Sequence, residues 1–257
     1  MRFTGAIVRP PAATFAAGIS KSGLGPPDLA LALEQHDAYC RTLERLGLSL
    51  VRLAPDPEFP DSTFVEDAAI ITTRGAILTR PGAESRAGEV AALGAALRPS
   101  FPDLGEIGAP GTADGGDVCE AGGHFFIGVS ERTNCEGAAQ LTRWLARLRF
   151  SSSVVDIREM SSLLHLKTGL SWLGGRRLLV AGEIAGHEVL RGWESVPVPD
   201  GEGYAANCIR VNDALLIAEG FPRTCALLAG LGYEVAPVAM SEFRKMDGGL
   251  SCLSVRW

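Results

Sequence analysis

DAAIITTRGAILTRP, residues 67–81, reads as a two-stranded hairpin: β-branched and aliphatic residues run up to Arg74-Gly75, where a glycine supplies the turn, and a second apolar run leads away. Its first residue is an acid. The same arrangement, a polar residue opening a tight hairpin, recurs in DVCEAGGHFFIG from Asp117, KTGLSWLGGRRLLVAG from Lys167 and NCIRVNDALLIAEG from Asn207. GGLSCLSVRW places Cys252 at the corresponding point near the C-terminus. The openers follow one another at intervals of about 40–50 residues, the range of repeat architectures.

Between hairpins the apolar period lengthens from two to about 3.6, the signature of a helix with one buried face. Leu29, Leu33, Tyr39, Cys40, Leu43 and Leu46 mark one helix, opened by Pro27 and Asp28 and closed by Gly47. Val90, Leu93 and Leu97 mark a second, Leu141, Trp144, Leu145 and Leu148 a third, and Cys225, Leu228 and Leu231 another. The stretch after Gly182 carries the weakest helical pattern. A short apolar strand follows each helix, as in LGLSLVRL from Leu46, so the unit is strand, strand, helix, strand. Five such ββαβ units predict an α/β fold closed as a five-bladed propeller with pseudo-fivefold symmetry, because repeats leave an apolar face bare unless neighbours cover it. FTGAIV at the N-terminus and LSCLSV at the C-terminus each lack a local partner; pairing them completes the fifth hairpin and removes two sheet edges. In such a ring the hairpin openings face one central space.

Composition bounds the partner. The 257 residues are expected to form one domain, 1–257; 46% are hydrophobic and 21% charged, ordinary for a globular protein. A net charge of −6 argues against nucleic acid and suits a cationic small molecule. No stretch is long and apolar enough to span a membrane and no secretory leader is evident, so the expected location is cytoplasmic. The six cysteines show no CxxC spacing, so no structural metal is expected and most are read as reduced. The Ala12–Pro27 loop, rich in Ala, Gly, Ser and Pro, is long enough to act as a lid.

Among the four histidines, His165 stands at a hairpin entrance, the register of Cys252, whereas His36, His124 and His187 default to structural roles. A cysteine attacks as its thiolate and needs a partner to supply and receive protons. His165 fits that task, and Asp114 in TADGGDV could orient it, although an Asp before Gly is as commonly a turn cap. FPDSTFVED brings Asp61, Glu66 and Asp67 together, carboxylates that repel unless they serve a cation or lie in water. Arg86 and Arg132 follow hairpins at similar offsets and could grip a carboxylate. Acids at one end and arginines at the other suit an amino acid with a cationic tail.

FVED (64–67), RPGAESR (80–86), DGGD (114–117), SERTN (130–134), LHLKTG (164–169), YAANC (204–208) and RKMDGGLSC (244–252) together resemble the dimethylarginine dimethylaminohydrolases, within the guanidino-modifying (pentein) superfamily. The resemblance runs from Arg2 to Trp257. It implies hydrolysis of monomethyl and asymmetric dimethyl arginine to citrulline and a methylamine, without cofactor, by a monomer or homodimer. It also implies Cys252 as nucleophile, His165 as general acid and base, and Asp114 as its orienting partner, where members carry Asp or Glu. Asp61, Glu66 and Asp67 would hold polar groups of the substrate, Arg86 and Arg132 its α-carboxylate. Ile19 would cover the ligand from the lid, at a position often Leu in relatives, and Phe64 and Met246 would line the pocket. Zinc on Cys252 and His165 would inhibit.

The nearest competing family is the arginine deiminases, whose members carry an Asp two residues after the catalytic His. Here that residue is Lys167, which cannot accept hydrogen bonds, so an unsubstituted guanidinium nitrogen loses its clasp. A non-enzymatic reading also stands, since ribosome anti-association factors share the propeller and act by binding; such a protein has no need of a Cys, a His and an acid at blade openings.

Overall fold

In the computed structural model, which describes residues 2–257, five three-stranded sheets follow one plan. An inner strand pairs antiparallel with a middle strand, and the middle strand pairs parallel with an outer one. The hairpin read from Asp67 is the first: Ala69–Thr72 pairs with Gly75–Leu78, which runs parallel to Leu104–Glu106. Val118–Ala121, Leu170–Gly174 and Ile209–Val211 are the inner strands of the next three. The predicted closure holds: Gly5–Val8 pairs antiparallel with Val255–Arg256 (Ala6 opposite Arg256) and parallel with Ser49–Arg52.

A parallel pair cannot be joined by a tight turn, so the chain crosses over through a helix. Leu29–Arg45, Glu89–Leu97, Cys135–Arg147 and Pro222–Gly230 are those helices. Asp28 caps the first, its side chain accepting from the Leu31 N–H at 3.1 Å, and Asn134 caps the third through Gly137 at 2.7 Å. The buried face of the first helix is rotated from the predicted one: Ala32, Gln35, His36, Tyr39, Cys40 and Leu43 are covered while Leu33 faces solvent. Between Arg177–Val180 and Glu194–Pro197 the crossover is two short 3₁₀ turns, Gly182–Gly186 and Glu188–Leu190. Glycines at 182, 186 and 192 raise the cost of a continuous α-helix there.

Blade seams hold the apolar core. Phe125, Ile127, Leu141 and Leu145 pack one seam; Phe126, Leu166, Leu170 and Leu178 another. Asn212, at φ 54° in the fourth hairpin turn, closes the ring on its far side: its carboxamide bonds the Phe3 N–H (2.7 Å), the Phe3 carbonyl (3.2 Å) and the Leu46 carbonyl (2.7 Å). All six cysteines are free, and no helix among the described residues is long and apolar enough to cross a membrane.

Candidate active site

Each inner strand is preceded by a single helical turn: Val65–Ala68, Gly115–Asp117, Leu166–Gly169, Gly203–Ala206 and Ser251–Leu253. These turns carry the hairpin openers toward the centre. They are latched in sequence. An Asp67 carboxylate oxygen accepts from the Gly116 N–H (2.9 Å), Asp117 from Leu166 (3.0 Å), and Asn207 from Ser251 (3.0 Å). Each of these openers thus holds the backbone just before the next opener or Cys252. The packing tolerates nothing larger than glycine at the second turn, since a Cβ on Gly116 would come within 2.9 Å of the His165 ring, and one on Gly115 within 2.0 Å of the Glu66 carbonyl.

His165 is mostly buried, and its Nε2 lies 3.1 Å from Asp114 Oδ2. The other oxygen of Asp114 accepts from the Gly82 N–H at 2.9 Å, so this fully buried carboxylate is fixed on both sides. Burial disfavours the imidazolium, but Asp117, Asp67 and Asp114 outweigh it and raise the His165 pKa to about 9. The imidazole is therefore protonated at neutral pH. A folded-state pKa above the unfolded value of about 6.5 gives stability that is complete below pH 6.5 and lost as pH rises through 9. We expect wild type to lose on the order of 3 kcal/mol more than His165→Gln between pH 6 and 10, measured by urea melts. Parallel curves would contradict this.

Cys252 Sγ accepts a hydrogen bond from the Gly249 N–H at 3.4 Å. Burial first, then Glu66 and Asp67, push its thiol up to about 12. Without a cationic ligand, Cys252 rests as a thiol.

All the predicted site residues except Asp114 and Glu66 line one small chamber of about 30 Å³. Asp114 stands behind His165. Asp61 accepts from the Ile19 N–H with both oxygens at 3.1 Å, fixing the Ala12–Pro27 loop, and its carboxyl pKa is raised chiefly by burial. Phe64 packs edge-on against Phe15 and Phe243. Arg132 offers a guanidinium without a protein partner among the described residues. Arg86 does not match it. Its Nη1 bonds Asp67 (2.6 Å), its Nη2 bonds Glu89 (2.8 Å) and the Asp61 and Phe64 carbonyls, and its Nε bonds Glu89 (3.0 Å). One Nη1 hydrogen remains for a ligand.

Glu66 departs from the predicted group. Its carboxylate turns away into a seam, accepting from Lys167 Nζ (2.7 Å) and the Ser251 hydroxyl (2.6 Å). That pair stands between the active-site side and a cavity of about 150 Å³ that Glu66, Lys167 and Arg256 line on the opposite side. His165 and Cys252 also open onto a wider cleft of about 480 Å³. Asp247, which lines both of these cavities, escaped sequence reading although RKMDGG carries it: its Oδ2 accepts from the Lys21 N–H (2.5 Å) and the Ser20 hydroxyl (3.1 Å), tying down the Ala12–Pro27 loop. Leu164, beside His165, is a second lining residue not foreseen.

Asp67, Asp114 and His165 bring one ligand atom each within 4.8 Å of one another. Gly116 and Arg86 already occupy Asp67, and Gly82 and His165 occupy Asp114, so the cluster is satisfied by protein donors. The other histidines serve structure: His36 is buried and its pKa is lowered to about 4, and His124 bonds Ser151 and Ser153 across its blade.

No family model matches the chain. It is 46% identical over 252 residues to the N(G),N(G)-dimethylarginine dimethylaminohydrolase of Pseudomonas aeruginosa, spanning 98% of both chains. To the enzyme of the same name from Streptomyces coelicolor it is 37% identical over 257 residues, spanning 98% of this chain and 96% of that one. A crystal structure of the Pseudomonas enzyme, a Cys-to-Ser mutant complexed with citrulline, superposes with a TM-score of 0.97 over 100% of both chains at 44% identity. The N-terminal domain of a cyanobacterial arginine dihydrolase, 19% identical, shares the fold with a TM-score of 0.88 over 100% of this chain and 97% of that one.

Proposed function

This chain belongs to the dimethylarginine dimethylaminohydrolase family and hydrolyses Nω-methylated arginines to citrulline and a methylamine; from that premise we propose how its own residues carry the reaction. The observation that carries the assignment is the sharing of one small chamber by Cys252, His165, Asp67 and Arg132. A guanidinium carbon is a poor electrophile because its charge is delocalised, so the reaction needs fixed nitrogens and a thiolate approaching face-on. Asp61 and Asp67 supply negative charge along the chamber, and Arg132, with the remaining hydrogen of Arg86, receives the α-carboxylate.

Ionisation of Cys252 is tied to binding. Asp67, which together with burial and Glu66 holds the thiol protonated, also attracts the guanidinium, and once that cation is seated the thiolate becomes the favoured form, its proton leaving to solvent. The sulfur then bonds to the guanidinium carbon. Imidazolium His165 gives its proton to the methylated nitrogen as the carbon–nitrogen bond breaks, leaving a thiouronium on Cys252. Neutral His165 next takes a proton from water as the oxygen adds to the same carbon; the carbon–sulfur bond then breaks, the proton remaining on that oxygen passes to the departing sulfur to restore the thiol, and citrulline leaves. Asp114 keeps the ring oriented throughout.

Lys167 supports methylated arginine over arginine. Its ammonium is held by Glu66 and offers no acceptor for an unsubstituted nitrogen. Incubating the protein with arginine, monomethylarginine and asymmetric dimethylarginine should yield citrulline with matching methylamine or dimethylamine, and arginine should react at least ~100-fold more slowly. Equal turnover of arginine with release of ammonia would make the chain a deiminase. Six free cysteines fit a reducing compartment, and we read the protein as a cytosolic, single-domain enzyme, monomer or homodimer, that uses no cofactor.

A further inference from the structure

We propose that Asn207 is a positioning residue for the nucleophile: its neutral carboxamide fixes the turn bearing Cys252 without adding a further carboxylate to those of Glu66, Asp67 and Asp247. The inference rests on Cys252 being the nucleophile and extends that reading to the blade behind it.

Asn207 grips the turn at both ends. Its Oδ1 accepts from the Ser251 N–H at 3.0 Å, and its Nδ2 donates to the Ser251 hydroxyl at 3.0 Å. At the other end its side chain lies so close to Gly249 that a Cβ there would come within 2.5 Å of it, and the Gly249 N–H is the donor to Cys252 Sγ. The Asn207 Nδ2 also donates to the Lys167 carbonyl at 3.0 Å, anchoring the turn to the His165 blade. A backbone N–H and a backbone C=O are thus its obligatory partners, and a carboxamide satisfies both. An aspartate would keep the first and set an oxygen against the second.

The latches elsewhere in the ring explain why the choice is informative. Asp67 and Asp117 do the same backbone task with carboxylates, so the latch itself does not require asparagine. What differs at this seam is the cargo. Cys252 faces Glu66 and Asp67 from the first blade, Lys167 and His165 from the third, Tyr204 from the fourth and Asp247 from its own approach. The Lys167 ammonium is already paired with Glu66, so another carboxylate at 207 would act on the sulfur with little compensation.

The test is the pH dependence of Cys252 alkylation by chloroacetamidine, a small amidinium electrophile, in wild type, Asn207→Asp and Asn207→Ala, together with kcat and KM on asymmetric dimethylarginine. Peptide mapping of the wild-type adduct tests the underlying reading separately: alkylation at another residue removes the nucleophile assignment and this proposal with it. With Cys252 labelled, Asn207→Asp is expected to move the alkylation midpoint up by about one unit, slowing it about tenfold at neutral pH with KM within about threefold. A profile superimposable on wild type overturns the proposal. Should Asn207→Asp fail to fold, Asn207→Ala decides. A kcat reduced at least about tenfold with KM nearly unchanged supports positioning, and wild-type kcat overturns it.

Discussion

Cys252→Ser is expected to lower citrulline production by at least ~10⁴-fold while leaving the melting temperature within a few degrees of wild type. A serine hydroxyl is far less acidic than a thiol, and the burial that, with the carboxylates of Glu66 and Asp67, already raises Cys252 to about 12 would suppress an alkoxide further. The cationic substrate can tip a thiol across that gap; it cannot tip a hydroxyl. The fold has little at stake in the sulfur, which is partly exposed and accepts one hydrogen bond, at 3.4 Å, that an oxygen can also accept. None of the other thiols can substitute. None of them lines the chamber: Cys40, Cys119 and Cys208 are buried elsewhere, Cys225 is half-buried, and Cys135 is exposed at the start of a helix. Mass spectrometry of substrate-quenched wild type should find the thiouronium on the peptide containing Cys252, and the variant should show none. Activity within tenfold of wild type would place the nucleophile elsewhere.

The repeats were legible because period-two strands, glycine turns and polar openers are all local signals, and closure of the ring followed from the two unpaired ends. Placement of Cys252, His165 and Asp114 at blade openings followed from register alone. What escaped depends on directions that sequence spacing does not encode. Glu66 and Asp67 are neighbours, yet on a 3₁₀ turn successive side chains diverge by roughly 120°, so one faces the chamber and the other a seam. Arg86 and Arg132 share an offset from their hairpins, but Glu89 lies one helical turn beyond Arg86 and captures it. Asp247 takes φ 57° in a turn that aims its carboxylate at the lid, a contact between residues 226 positions apart. The missing helix after Gly182 was foreshadowed by its weak pattern.

That asymmetry between the arginines produces the second large effect, on stability. Arg86→Met is expected to destabilise the fold by about 3–5 kcal/mol, lowering the melting temperature by roughly 10 °C, because it strands Asp67 and Glu89 as buried, unpaired carboxylates. The pH dependence identifies the cause. Burial alone would raise the Asp67 pKa, and Arg86 with His165 overcomes it to bring the value down to about 2. A depressed carboxyl pKa contributes stability above the unfolded value of about 3.9 that is lost as pH falls through 2. Without Arg86 that contribution is gone, so the gap between variant and wild type should narrow as pH drops below about 4. Adding Glu89→Leu to Arg86→Met should recover part of the loss by removing one of the stranded charges. Arg132→Met, which breaks no protein ion pair, should instead raise KM about 10–100-fold with stability within about 0.5 kcal/mol of wild type. If Arg86→Met keeps its melting temperature and raises only KM, Arg86 is a substrate clamp equivalent to Arg132, and its buried partners contribute nothing to holding the first blade together.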